Sequence, residues 1–381
     1  MEARANNVAL APLQYALALP LQAAALSEAS WAHLLFFCGF ATLTVNLAAT
    51  AKPIRNLSEQ ELTMQQAVLA PIAASALLLG LYALIVYYDF DPSKIYRLSV
   101  CSLALWAVRD LAVQAVAAAA RTAGLTTTPL PPEASVPTGS EEEEEEEAPP
   151  LFTQAERGVA LALSLALVGD YAWSAGTSAG GGLTAWQLIE QNLLAWSLAM
   201  FSIGVVSLRT FTTAAVFLSG LFCYDIFWVF STDVMMTVAM KVDAPVKLLA
   251  INPTASAYPY AALGLGDIAI PAFFCSLMYQ YDLALASDAT SSPDAPPPPY
   301  RRNAVLAYAL GLCATFWANE NLQRGQPALL YLVPAVIGSA LLTASRRGEV
   351  PQLLAFEAPV TSDRIPLDLA MLSEEQRNPV R

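Results

Sequence analysis

The 381-residue chain is 56% hydrophobic and only 13% charged, with a mean hydropathy of +0.48. A soluble globular domain carries about 25% charged residues, so this composition excludes an ordinary soluble enzyme and indicates a polytopic helical membrane protein. The formal net charge of −13 includes the uninterrupted run Glu141–Glu147, which belongs to a loop, and we expect no nucleic-acid partner.

The first apolar stretch, residues 8–26, reads equally as a signal-like segment, an interfacial helix or a span. Beyond it, runs of about 20 apolar residues predict about nine spans: 31–51, 67–88, 96–120, 158–176, 187–207, 211–232, 259–283, 303–320 and 326–345. Residues 126–150 and 287–300 combine proline, small polar residues and acids, and are expected to be disordered. The chain from about Phe356 is polar and is expected to be mobile. His33 reads as interfacial, and Cys38, Cys101, Cys223, Cys275 and Cys313 read as small buried hydrophobes. Neither type has the spacing of a metal site. Lys and Arg bias across the loops favours a cytosolic C-terminus.

Within the spans, carboxylates are the informative residues, because an ionised Asp at mid-bilayer costs about 2.5–3.5 kcal/mol on insertion scales. Asp225, in GLFCYDIFWVF, is the only charged residue between Arg209 and Asp233. Asp267, in LGLGDIAIP, is the only one between Lys247 and Asp282. Asp225 lies eight residues before Asp233 and Asp267 eight after Pro259. On consecutive antiparallel helices both would then sit about 12 Å from the same membrane face. Two acids meeting at one depth would share a proton and could act together as acid and base. Asp110, Asp170 and Glu190 read instead as structural: Asp110 follows Arg109, Asp170 lies near the end of its span, and Glu190 lies near a helix start. Gly264 and Gly266 would let another backbone approach the acid and would allow irregular torsion. In QPALLYLVP, Pro327 suits a helix start and Pro334 predicts a kink.

Taken together, Tyr224-Asp225, Gly264-Leu265-Gly266-Asp267 and Pro327-Ala328-Leu329 resemble the motifs of GxGD-type intramembrane aspartyl proteases, the presenilin and signal peptide peptidase family. The surrounding DAPVKLL, QPALLYLVP and GEVPQLLAFE are most similar to the signal peptide peptidase branch. The resemblance is strong over about Glu190–Glu357. It implies a presenilin-like fold of nine spans with a lumenal N-terminus and a cytosolic C-terminus, in the endoplasmic reticulum membrane. It divides the chain into N-terminal spans (1–125), an acidic loop (126–157), a catalytic transmembrane region (158–345) and a polar tail (346–381). It also implies that Asp225 and Asp267 are catalytic. Tyr224, Gly264, Leu265, Gly266, Gln326, Pro327, Ala328 and Leu329 would then shape the site and seat the substrate. No metal or cofactor is implied. The implied partners are membrane lipids and transmembrane helical peptides such as spent signal peptides and type II membrane segments, and a homo-oligomer stays open. A proton-coupled transporter or channel using the acid pair, and a non-catalytic membrane scaffold, are the alternatives. The buried acids alone are compatible with the transporter, but the chain has no visible internal repeat of the kind transporters carry.

Overall fold

The computed structural model describes residues 21–27, 31–50, 60–88, 93–122, 153–177, 183–241, 244–251, 260–288, 298–322 and 325–358. Most of the first apolar stretch, the acidic loop, most of the 287–300 linker and the tail beyond 358 lie outside the described residues. The long helices are α1 (Ala32–Thr50), α2 (Met64–Tyr87), α3 (Ser93–Thr122), α4 (Gln154–Thr177), α5 (Ala185–Val205) and α6 (Phe211–Phe230). After a short α7 (Val234–Lys241) come α8 (Gly266–Asp288), α9 (Tyr300–Leu322), α10 (Leu329–Arg347) and the short α11 (Val350–Ala355).

Seven of these helices are long and apolar enough to cross a membrane, namely α1, α2, α3, α5, α6, α8 and α10. The chain is therefore an all-α, multi-pass membrane protein. The expected spans 158–176 and 303–320 coincide with α4 and α9, which are as long as the others. Both carry more polar ends: Glu156 and Arg157 in α4, and Arg301, Arg302, Asn319 and Glu320 in α9.

Local signals in the sequence set the helix boundaries. Thr63 with Gln66 and Thr184 with Gln187 form capping boxes at the starts of α2 and α5. Gly348, in the left-handed region at φ 71°, terminates α10, where Arg346 and Arg347 suit the negative helix end. Pro334 lies within α10, which runs continuously through it.

Packing separates a centre from a lipid-facing rim. In α1, 61% of the spanning window is buried, against 6% in α2. α1 is the central element: Phe36, Phe37 and Phe40 are fully buried, Phe37 stacks on Phe316 of α9 at 5.1 Å, and Phe40 meets Trp196 of α5 edge-on at 5.4 Å. α3 and α4 pair with each other and join the core through Leu194 and Leu198 of α5. α2 is fixed to α6 where Pro71 faces Gly220 and where the Trp228 indole N–H donates to Ser75 Oγ at 3.0 Å. α9 and α10 approach closely at Gly311, where an added Cβ would lie 3.2 Å from the Tyr331 carbonyl oxygen.

Two expectations change, for the cysteines and for the secondary structure, and His33 is found buried with Nε2 3.3 Å from Glu320 of α9. Of the cysteines only Cys101 and Cys275 are buried; Cys223 and Cys313 are exposed, and Cys313 lies 3.3 Å from Cys38, sulfur to sulfur. The described residues also contain two small sheets. One is parallel, β1 (Gln60–Glu61) on β2 (Val206–Ser207), and joins the start of α2 to the end of α5. The other is an antiparallel hairpin, β3 (Lys247–Ile251) on β4 (Tyr260–Gly264), and it sets the position of α8.

Candidate active site

Asp225 owes its place to the pattern of α6. Thr210 caps this helix by accepting the Thr213 N–H at 3.1 Å. From there Ala214, Phe217, Leu218, Leu221, Asp225 and Trp228 fall on one buried stripe at helical spacing. Asp225 therefore faces protein, not lipid, and is only 5% exposed. Its Oδ2 accepts the backbone N–H of Leu329 at 3.0 Å. Leu329 is the first residue of α10, and the residue before it, Ala328, offers no side-chain cap. A helix start leaves N–H groups without intrahelical partners, and here a carboxylate from another helix supplies the acceptor.

Asp267 is placed differently from the sequence expectation. The span predicted from residue 259 begins only at Gly266, because residues 260–264 are extended in β4. An extended strand rises about 3.3 Å per residue, not 1.5 Å, so the shared-depth estimate fails on this side. Both acids are instead tied to helix starts. Asp267 lies in the first turn of α8, and its carboxylate accepts the N–H of Gly264. Pro271, four residues on, has no N–H to offer the Asp267 carbonyl. α8 and α10 pack on each other and on α6, and the aromatic pairs Phe211–Phe274 and Phe217–Phe273 hold α6 against α8.

The remaining predicted residues surround this point in different ways. Tyr224 is half-buried, its ring 6.4 Å from that of Trp228, and Asp225's charge reaches it. Leu265 links the hairpin to α8: its N–H bonds the Val246 carbonyl at 3.1 Å and its carbonyl accepts from Ala269 at 2.8 Å. Gly266 is exposed, and a Cβ there would meet only Ile270, at 3.7 Å. A Cβ on Gly264 would lie 3.3 Å from Asp267 Oδ2. Among the described glycines only Gly348 has positive φ. Gly264 and Gly266 therefore matter for the space they leave, and the expectation of irregular torsion is corrected. Pro327 and Ala328 form the turn into α10, accepting from Leu330 and Tyr331. Gln326 accepts the Tyr331 hydroxyl at 3.2 Å.

The other acids lie elsewhere. Asp170 accepts the Trp186 indole N–H at 2.8 Å, and Glu190 is fully buried within reach of Asp170 on the α4–α5 contact. Arg109 stacks over Trp106 at 5.5 Å. Among the described residues no group of three or more His, Cys, Asp or Glu side chains could hold a metal ion.

Sequence reasoning missed the hairpin and what anchors it. Gln191 and Asn192, adjacent amides in α5, are buried. Asn192 accepts the Leu249 N–H at 2.7 Å and donates to the Leu249 carbonyl at 2.8 Å. Gln191 donates to the carbonyls of Lys247 and Ala244 at 3.2 and 3.3 Å and accepts the Tyr171 hydroxyl at 2.9 Å. The available signal was two amides side by side in an otherwise apolar run, QNLLAW.

Comparison with known proteins adds a second line. The family described as signal peptide peptidase matches residues 55–359. A probable intramembrane protease of Schizosaccharomyces pombe is 43% identical over 173 residues, 45% of this chain and 57% of the relative. The signal peptide peptidases of Mus musculus and Homo sapiens are 37% and 36% identical over 173 residues, 44% of this chain and 44% of each relative. The chain thus matches about half the length of these relatives.

Proposed function

We propose, for a chain that belongs to the signal peptide peptidase family, that Asp225 and Asp267 act as one aspartyl pair that hydrolyses peptide bonds inside the membrane. The observation that carries this reading is the placement of the two acids on helices packed against each other: Asp225 of α6 on the N–H of Leu329 at the start of α10, and Asp267 in the first turn of α8. Two carboxylates at close quarters share one proton. The ionised member removes a proton from water as the oxygen attacks the scissile carbonyl carbon, and the protonated member donates to the carbonyl oxygen. Collapse of the tetrahedral intermediate breaks the C–N bond, and the amine leaves with a proton from the pair. Either assignment of the shared proton satisfies this sequence of steps.

A helix hides its peptide bonds behind its own hydrogen bonds, so the substrate must be unwound first. The hairpin supplies a docking edge. In an antiparallel ladder, residues opposite one another direct their backbone groups the same way, either toward each other or both outward. Leu249 directs its N–H and carbonyl outward to Asn192. Its partner Ala262, itself exposed, accordingly directs its own away from β3, four residues before Gly266. An unwound peptide added along β4 gains affinity from main-chain bonds, largely independent of its sequence. The fitting substrates are single apolar helices of weak helix propensity, such as spent signal peptides and type II membrane segments. The setting we propose is the endoplasmic reticulum membrane, with a lumenal N-terminus.

Asp225→Asn and Asp267→Asn test the reading, assayed on a single-span peptide in detergent. Each is expected to lower cleavage by about 10²–10⁴-fold, the scale of acid–base catalysis, with peptide binding kept. Intact cleavage, or loss of proton flux through reconstituted vesicles in its place, would refute it.

A further inference from the structure

We propose that Asn192 is a positioning residue that plugs the outer edge of β3 and so commits an incoming peptide strand to β4. The inference rests on the strand-addition reading above but concerns a residue outside the acid pair and its motifs. A two-stranded sheet has two open edges, and each can accept another strand. Here they are not equivalent. At Leu249, the centre of β3, one side-chain amide occupies both outward groups, with contacts of 2.7 and 2.8 Å. That is the donor and acceptor pair a neighbouring strand would offer. Asn192 is fully buried, so no peptide reaches Leu249 while it is in place.

Its neighbours hold the plug rigidly. Gln191 takes the Lys247 carbonyl, the next outward group along β3, and is itself held by Tyr171 of α4. The second Asn192 Nδ2 contact, to Gln22 Oε1 at 3.4 Å, ties the residue to the segment before α1. At a fully buried position an amide that lost these partners would be costly, which fixes the side chain in this arrangement.

The gain is in specificity. β4 runs directly into Asp267 through Leu265 and Gly266, whereas β3 lies one strand spacing further away, about 4.8 Å. A peptide paired to β3 would be bound with its carbonyls out of reach of the acids. The plug abolishes that unproductive mode, a discrimination built against a wrong pose and not toward the right one.

Asn192→Leu, close in size and unable to bond, tests this. Hydrogen exchange at the Leu249 amide of the full chain in detergent is expected to rise on the order of tenfold, the scale of lost buried hydrogen bonds. With a single-span peptide, kcat and KM are expected to fall together, the signature of unproductive binding, with kcat/KM within about twofold of the parent. Asn192→Asp keeps the acceptor for the Leu249 N–H but loses the donor to its carbonyl, and should give the same joint fall at smaller size if the leucine variant does not fold. Unchanged Leu249 exchange, or a drop in kcat/KM with KM constant, would overturn the plug. A parent protein that cleaves no single-span peptide would overturn the protease reading and the strand commitment with it, whatever the exchange data.

Discussion

The glycine beside Asp267 gives the sharpest test of how this site is built. Substituting Gly264 by Ala adds a Cβ 3.3 Å from Asp267 Oδ2 and 4.0 Å from its Cγ. A contact that tight makes the carboxylate yield by a few tenths of an ångström, away from the Gly264 N–H that it accepts. Weakening that hydrogen bond costs about 1 kcal/mol. The fold should barely register the change, because β4 tolerates alanine at Ala261 and Ala262 and no positive φ is involved. Catalysis should register it strongly, since misplacing a reacting group by about 1 Å can cost 10²-fold and a fraction of that still costs roughly tenfold. Gly266→Ala is the paired control: its Cβ meets only Ile270, at 3.7 Å, and points into open space otherwise. The assay is kcat/KM on a single-span peptide beside thermal unfolding in the same detergent. Gly264→Ala should lose about tenfold in rate with an unchanged midpoint, and Gly266→Ala should stay within about twofold. Equal effects of the two alanines, or a rate loss that tracks lost stability, would refute the reasoning. The bulkier Gly266→Leu, at an exposed position, should abolish cleavage by filling the approach to the acids, with the unfolding midpoint kept.

Other outcomes follow from the same geometry. Cleavage should give a bell-shaped pH profile with both limbs belonging to the pair: at low pH neither acid can take a proton, at high pH neither can give one. A single-limbed profile would contradict a shared proton. Gly311→Ala pushes α10 away from α9 through the Tyr331 carbonyl, two residues from Leu329. It should cost about 1–3 kcal/mol in stability and lower activity by disturbing the Leu329–Asp225 bond, measured by unfolding and cleavage together. Arg209→Ala removes contacts to Glu61, Glu357 and the Ala358 carbonyl at 3.0–3.2 Å. Since the side chain is partly exposed, the loss should be about 1–2 kcal/mol, read as a lowered unfolding midpoint with kcat nearly unchanged.

The sequence by itself determined the membrane class and the positions of the long helices, and it singled out the two acids proposed here as the pair. Those features depend on local properties that the chain carries wherever it folds. Twenty apolar residues must span or be buried, a Thr three residues before a Gln closes a helix start, and a lone Asp in an apolar run is too costly to be incidental. The same reasoning failed just before Asp267, where YAALG is apolar enough to pass for the first turns of a span. Whether those residues coil or extend depends on a partner strand nine to seventeen positions upstream and on two amides in α5. Only the tertiary structure decided that Asp225 caps a helix it does not belong to, that Asp267 sits at a helix start and not partway along one, and that amides of α5 occupy the outer edge of β3. Each of these depends on contacts between residues far apart in the chain, and spacing along a sequence carries no information about which distant groups will satisfy one another.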